Sequence, residues 1–349
     1  MNFRRSLPEI RCQPCLSPAG LQSGVPCGGT RRYNRIAVLR FWLLILVAAA
    51  APAQVLYELS GRIGPEGHAL VTLFGATHPF TTSTFTDESG RFTFKKLAAA
   101  TYTLAVFQPG RGDARQTIEV GPSLADAHNR VQLTITLRDA DFDPTSDRRR
   151  HSVTTRELAI PERALRDYVD AQRDLEKRDV EAAEKHLEHA VELAPRFANA
   201  WNTLGTIAYQ TRRFPLAEQR FRQSLKQDPT AYEPLVNLGG VLVTVHKLDE
   251  ALEVNVHATL TRPNDALANS QLGMTYFELG QFDSAVKYLE RARQLDPAHF
   301  SHPQLFLAEI HLRRGQKCEA ARVLEDFLQY HPDYPQAEIM RQNIVELRQ

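Results

Sequence analysis

Five prolines recur at a nearly fixed interval through the C-terminal half of this chain: Pro195, Pro229, Pro263, Pro297 and Pro332, spaced 34, 34, 34 and 35 residues apart. A small residue keeps the same beat as Ala183, Ala217, Ala251, Ala285 and Ala320, and Leu204-Gly205, Leu238-Gly239, Leu272-Gly273 and Leu307-Ala308 mark a third position in phase. Agreement of this kind over five copies is not chance, and it dictates the architecture. Small side chains where two helices cross let their backbones approach. A proline at the end of the second helix stops it and turns the chain. One such hairpin leaves an apolar face uncovered, so copies must stack, and about three are needed for stability.

The fullest copy, residues 198–229, reads Trp201-x-x-Leu204-Gly205, then Ala217-x-x-x-Phe221, then Pro229. It resembles the tetratricopeptide repeat, and the phase places repeats at 164–195, 198–229, 232–263, 266–297 and 301–332, with 333–349 as a capping helix. The resemblance implies a superhelical solenoid with a concave groove that binds a protein or peptide. Family positions put Tyr168, Gln172, Asn199, Asn202, Thr206, Tyr209, Glu233, Val236, Thr244, Ser270, Met274, Phe277, His302, Leu305 and Arg313 in that groove. Aromatic, amide and hydroxyl groups dominate, so a clamp of paired basic groups for a terminal carboxylate is not expected. A partner offering backbone amides and apolar side chains is expected instead. The β-branched run Val241-Leu242-Val243-Thr244-Val245 falls within a first helix, where repeat phase overrides strand propensity. Asn255 stands where a large apolar residue is usual, which predicts either a looser repeat or a bond to a neighbour.

Before residue 54 the chain changes character. Arg31, Arg32, Arg35 and Arg40 precede an apolar run at 41–51, followed by the small-x-small triplet Ala51-Pro52-Ala53. This is the order of a secretory signal, and the run is shorter than the ~20 residues a spanning helix needs. Export is therefore expected, to the periplasm or beyond the cell, with an uncleaved anchor as the alternative and the sole membrane contact. Residues 1–24, rich in Pro, Gly and Ser, fit no part of a signal, and translation is expected to begin near Val25. Their Cys12-x-x-Cys15 pair lacks the second half-site of a metal motif. Composition matters here: without the seven Arg and one Glu of residues 1–53, 35 basic and 40 acidic side chains remain, a net −5. That argues against nucleic-acid binding, which rests on neutralising phosphates. Only Cys318 remains after residue 53. A packed thiol is the expectation, with an intermolecular disulfide as the alternative.

Between 54 and 137 the hydrophobic period is two. Val131, Leu133, Ile135 and Leu137 alternate with polar residues, as do Tyr102, Leu104 and Val106, and Phe92 and Phe94. Turn-forming runs such as Asp87-Glu88-Ser89-Gly90 separate them. Seven short strands follow, near 57–63, 69–75, 81–86, 91–95, 100–108, 115–120 and 130–137, which predicts an antiparallel β-sandwich. Ser60-Gly61-Arg62-Ile63, the Asp87-x-x-Gly90-x-Phe92-x-Phe94 core and Tyr102-Thr103-Leu104 resemble the carboxypeptidase regulatory-like domain, a transthyretin-like sandwich. Ala98-Ala99-Ala100 stands where that family has a glycine turn. The resemblance implies an accessory module without catalytic residues. Arg111-Gly112-Asp113 is read as a hairpin tip rather than an adhesion signal.

Residues 138–161 are polar, with acids followed by Arg148-Arg149-Arg150. As a coil such a linker spans roughly 25–30 Å, letting the two domains move independently unless they dock. Catalysis is not expected. His189-x-x-Glu192 matches a zinc-ligand spacing but lies inside a regular repeat without a third ligand. The pairs His186/His189 and His299/His302 are read as ordinary helix and junction residues. No phosphate loop, dinucleotide fingerprint or nucleophile elbow occurs, so no cofactor is expected. The chain reads as an exported, non-catalytic adaptor of multidomain β + α class. The rivals are a carbohydrate- or cell-wall-binding protein using the sandwich, favoured by aromatics on one sheet face, and an accessory subunit of an envelope hydrolase.

Overall fold

Alternation in the N-terminal half produces strands with one buried face. A computed structural model describes residues 55–64, 67–143 and 159–349. The signal-like run, the three N-terminal cysteines and the Arg148 triplet lie outside the described residues. Seven strands form: β1 (Tyr57–Gly64), β2 (Leu70–Gly75), β3 (Thr81–Phe85), β4 (Arg91–Leu97), β5 (Ala100–Gln108), β6 (Gly112–Val120) and β7 (Arg130–Thr136). They make a three-stranded sheet ordered β4-β1-β7 and a four-stranded sheet ordered β3-β2-β5-β6. Every pairing is antiparallel except β1–β7, which is parallel. The alternating residues, among them Leu59, Val71, Leu73, Phe92, Phe94, Tyr102, Leu104, Ile118, Val131 and Ile135, meet in one core. Asp87 folds the turn before β4 by accepting the amides of Ser89 and Arg91 at 2.9 Å each, while Gly90 takes φ 75°. Ala98-Ala99-Ala100, where the family has a glycine, takes no left-handed conformation; the nearby left-handed residue is Lys96, at φ 60°, before Leu97. Arg111 is held at the hairpin tip by Asp139 and lies 4.3 Å over the Phe142 ring, so the Arg-Gly-Asp triplet is a tied turn.

Among the described residues eleven α-helices follow: α1 (Glu162–Glu176), α2 (Val180–Leu193), α3 (Ala198–Gln210), α4 (Phe214–Gln227), α5 (Tyr232–Thr244), α6 (Leu248–Thr261), α7 (Ala266–Glu278), α8 (Phe282–Leu295), α9 (Pro303–Arg313), α10 (Lys317–Tyr330) and α11 (Ala337–Leu347). The β-branched run is helical from Val241 to Thr244 in α5, as expected, and Val245 caps it. Close crossing explains the small residues: a Cβ on Gly205 would sit 2.6 Å from the Phe221 ring, and one on Gly273 2.7 Å from Leu289. Asn255 takes the corresponding place against Gly239, and its amide donates to Thr275 Oγ1 at 3.0 Å. It bonds to a neighbour, as one of the two expectations had it. Each hairpin turns through a left-handed residue: Arg178, Arg212, His246, Gly280 and Gly315, at φ 63°, 61°, 57°, 72° and 71°. The next amide reaches back to the carbonyl five residues earlier, as in Arg213 to Ala208 and Lys247 to Leu242, closing a Schellman cap. Ala337 and Ile344 of α11 are buried, while Ile339 and Val345 face solvent.

The two halves are joined by side chains from all five repeats. Glu176 accepts from Thr82 at 2.8 Å, and Arg178 donates to the Lys96 carbonyl at 3.0 Å. Gln210 donates to the Gly75 carbonyl at 2.8 Å, and Glu233 pairs with Arg115 at 3.3 Å. Asp296 accepts the Thr117 amide at 2.9 Å; His331 pairs with Glu119, and Asp333 accepts the Ser123 amide at 3.1 Å. Past β7, Asp143 forms a bridge to Asp113 on β6 and an ion pair with Arg262 at 2.9 Å. The sandwich is docked.

Candidate functional site

Docking brings the outer face of the four-stranded sheet against the first helices of the repeats. That face carries the residues opposite in register to the core set: Phe74, Thr81, Thr103, Arg115 and Thr117. A cavity of about 580 Å³ remains between the two surfaces. Strands supply Phe74, Thr103, Arg115 and Thr117; helices supply Tyr168, Gln172, Asn202, Thr206, Gln210, Glu233, Val236 and Asn237; the α8–α9 junction supplies Asp296, His299 and Phe300.

Of the residues the repeat pattern assigns to the groove, Tyr168, Gln172, Asn202, Thr206, Glu233 and Val236 come together in this lining. Asn202 accepts from Asn237 at 3.2 Å, and Thr206 donates to the Asn202 carbonyl at 3.1 Å. The other assigned residues lie elsewhere. Asn199 is exposed, and Tyr209 packs on Phe214 with its hydroxyl near Thr244. Ser270 is fully buried and bonds to Ser301. Met274 and Phe277 pack in an apolar cluster with Phe306, with Arg313 lying 5.2 Å over the Phe277 ring. His302 is ringed by Phe327, His331 and Tyr334, and Leu305 is half-buried beside it in sequence. The pattern missed Arg115, Arg262, Gln210, Asp296 and the sandwich wall.

The lining is acidic. Asp113, Asp141, Asp143, Glu233, Asp265 and Asp296 face Arg115 and Arg262. Desolvation works against the charge on Arg115, but Glu233, Asp265 and Asp113 outweigh it and raise its pKa. Burial pushes the Asp296 carboxyl up to about 6, against hydrogen bonds from Thr117 that favour the anion. Burial, then the neighbouring His302 and His331, lowers His299 to about 3, so it is a neutral ring here. Among the described residues no group of three or more His, Cys, Asp or Glu side chains could hold a metal ion. His186 and His189 each contact a carboxylate of α1, Asp174 and Asp167, at 2.8 Å. Cys318 is half-buried and forms no disulfide among the described residues.

These features define a helical-repeat scaffold whose concave side is walled by an attached sandwich. Family comparison gives both parts their names. Residues 57–138 match the carboxypeptidase regulatory-like domain, and residues 168–232, 245–300 and 276–344 match tetratricopeptide repeats. The chain combines these two modules. It is 31% identical over 134 residues to ALBINO3-like protein 2, chloroplastic, of Arabidopsis thaliana, covering 33% of this chain and 26% of that protein. It is 29% identical over 119 residues to the human cell division cycle protein 16 homolog, covering 32% and 19%. The chain thus spans about a quarter or less of these curated relatives. Among solved structures, PilW, a widely conserved type IV pilus biogenesis factor, aligns at TM-score 0.47 and 21% identity, covering 54% of this chain and 86% of that one. YrrB, a TPR protein with an unusual peptide-binding site, aligns at 0.43 and 21%, covering 55% and 100%.

Proposed function

We propose that this protein is an exported, non-catalytic adaptor that holds a segment of another polypeptide between its repeats and its own sandwich. One observation carries the reading. Six side chains that the repeat pattern assigns to a partner-binding groove line a single cavity of about 580 Å³, opposite a wall that the sandwich supplies. That volume lies within the ~300–1,000 Å³ of binding pockets. Amides at Gln172, Asn202 and Asn237 offer donors and acceptors to a peptide backbone, beside apolar surface from Phe74, Val236 and Phe300. Export rests on the signal-like order of residues 31–53 and is checked by sequencing the N-terminus of the secreted form, where Gln54 is expected first.

A photo-crosslinking residue at Asn237, with the same residue at exposed Glu253 as control, tests the binding reading in the cell of origin. The expected result is a small set of polypeptides joined at 237 and absent at 253. Identical products from both positions would remove the cavity from the function. One feature favours the carbohydrate-binding alternative: Phe85, Leu70 and Phe107 form one cross-strand row on the outer sheet face, with Phe85 73% exposed. If that row is the working surface, Phe85→Ala abolishes retention on insoluble cell-wall polysaccharide; if the cavity is, it changes nothing at position 237.

A further inference from the structure

The cavity wall contains a carboxylate without a full set of partners. Asp296 is only 4% exposed. Its Oδ2 takes the Thr117 amide, while Oδ1 is buried with no hydrogen-bond partner. A buried acceptor left unpaired costs about 1–3 kcal/mol, more when charged, so such an atom calls for a partner. The charges around it point the same way. Of the six carboxylates in the lining, Asp113 acts on Arg115, Glu233 is shared by Arg115 and Arg262, Asp143 is held by Arg262, and Asp141 pairs at 2.9 Å with Arg138. Asp265 caps α7 through the Ala268 amide. No lysine lines the cavity, and its two arginines already have carboxylate partners.

We propose that Asp296 receives the guanidinium or ammonium group of an arginine or lysine side chain carried by the bound polypeptide. The inference rests on the adaptor reading and adds the chemistry of the partner. The local setting suits a long basic side chain. Its aliphatic stem can lie along Phe300, Leu295 and Leu267, which line the same cavity, while its head meets the carboxylate. A charge-assisted bond in a partly desolvated site is stronger than a neutral one, and it would satisfy Oδ1.

The full chain and its Asp296→Asn variant are each panned against a random dodecapeptide phage library. Asparagine keeps an acceptor for the Thr117 amide, and circular dichroism checks that the variant is folded. The expected result is that peptides retained by the natural chain are enriched in Arg or Lys at one position, and that the variant still retains peptides but loses this enrichment. A synthetic copy of a selected peptide should bind about tenfold more weakly when its basic residue becomes glutamine, the scale of one charge-assisted hydrogen bond. Phe74→Ala, which thins the apolar wall and leaves Asp296 in place, should weaken retention but keep the basic preference. Recovered peptides without basic enrichment, or enrichment unchanged in Asp296→Asn, overturn the inference and leave the adaptor reading standing. No peptide retained above background by the natural chain would bring down both.

Discussion

At the scale of single residues, the hairpin turns set out a graded experiment. The same left-handed position is glycine in the fourth and fifth repeats but Arg178, Arg212 and His246 in the first three. A Cβ in that conformation costs about 1 kcal/mol or more, which glycine avoids. Arg212 is exposed, and its side chain makes no hydrogen bond or ion pair among the described residues. Arg212→Gly is therefore expected to raise unfolding stability by about 1 kcal/mol, less the extra entropy glycine brings to the unfolded chain. Arg178 differs, because its guanidinium donates to the Lys96 carbonyl and lies 5.4 Å over the Phe80 ring. Arg178→Gly should gain nothing, since relief of the backbone is offset by loss of a tie to the sandwich. Urea unfolding of the two variants side by side checks the contrast, and equal gains would mean that Arg178 holds nothing together.

At the scale of elements, the fold was legible because its signals are local and periodic. Prolines in phase and alternating apolar residues both repeat within a few turns or one strand, and they place helices and strands without reference to distant parts of the chain. The α8–α9 junction shows where such reading stops. His299 and His302 look like ordinary junction residues in the sequence, yet His299 is buried and His302 opens α9 at φ 52° amid aromatic rings. Burial, then neighbouring imidazoles, lowers them to about 3 and about 4. Both native values lie below the unfolded value near 6.5, so the unfolded chain takes up protons first and stability falls as pH drops below about 6.5. By about pH 5 each histidine removes roughly 2 kcal/mol, while Asp296, raised in the native state, returns roughly 1 kcal/mol over the same window. The net expectation is a loss of a few kcal/mol between about pH 7.5 and pH 5. His302→Asn, which tolerates the left-handed backbone, should shrink that loss by roughly 2 kcal/mol whatever its effect at neutral pH. A denaturation midpoint independent of pH across this range would show that neither ring is kept neutral by its surroundings.

At the scale of the whole molecule, the candidate site was only half legible, and the reason is sequence separation. Tyr168, Asn202 and Val236 could be placed because each recurs with the repeat. Arg115–Glu233, Thr117–Asp296 and Glu119–His331 join residues 118, 179 and 212 positions apart, and no period carries that information. Thr117 reads as the solvent side of an alternating strand, yet it is 2% exposed because the repeats, not water, cover that part of the face. Covering it also protects β6, an edge strand whose Thr117 amide would otherwise be open to another chain. The docked arrangement is testable through this residue. Thr117 points away from the sandwich core, so Thr117→Glu leaves that core intact while setting a second carboxylate beside buried Asp296. Like charges desolvated together repel, and separating the sandwich from the repeats is the available relief. Small-angle scattering should then report a larger radius of gyration, and calorimetry two unfolding transitions where the natural chain gives one. Thr117→Gln, of the same shape without the charge, separates repulsion from crowding and should stay docked. A Glu variant as compact and as cooperative as the natural chain would mean that the sandwich is not held through β6, and the shared cavity would lose its second wall.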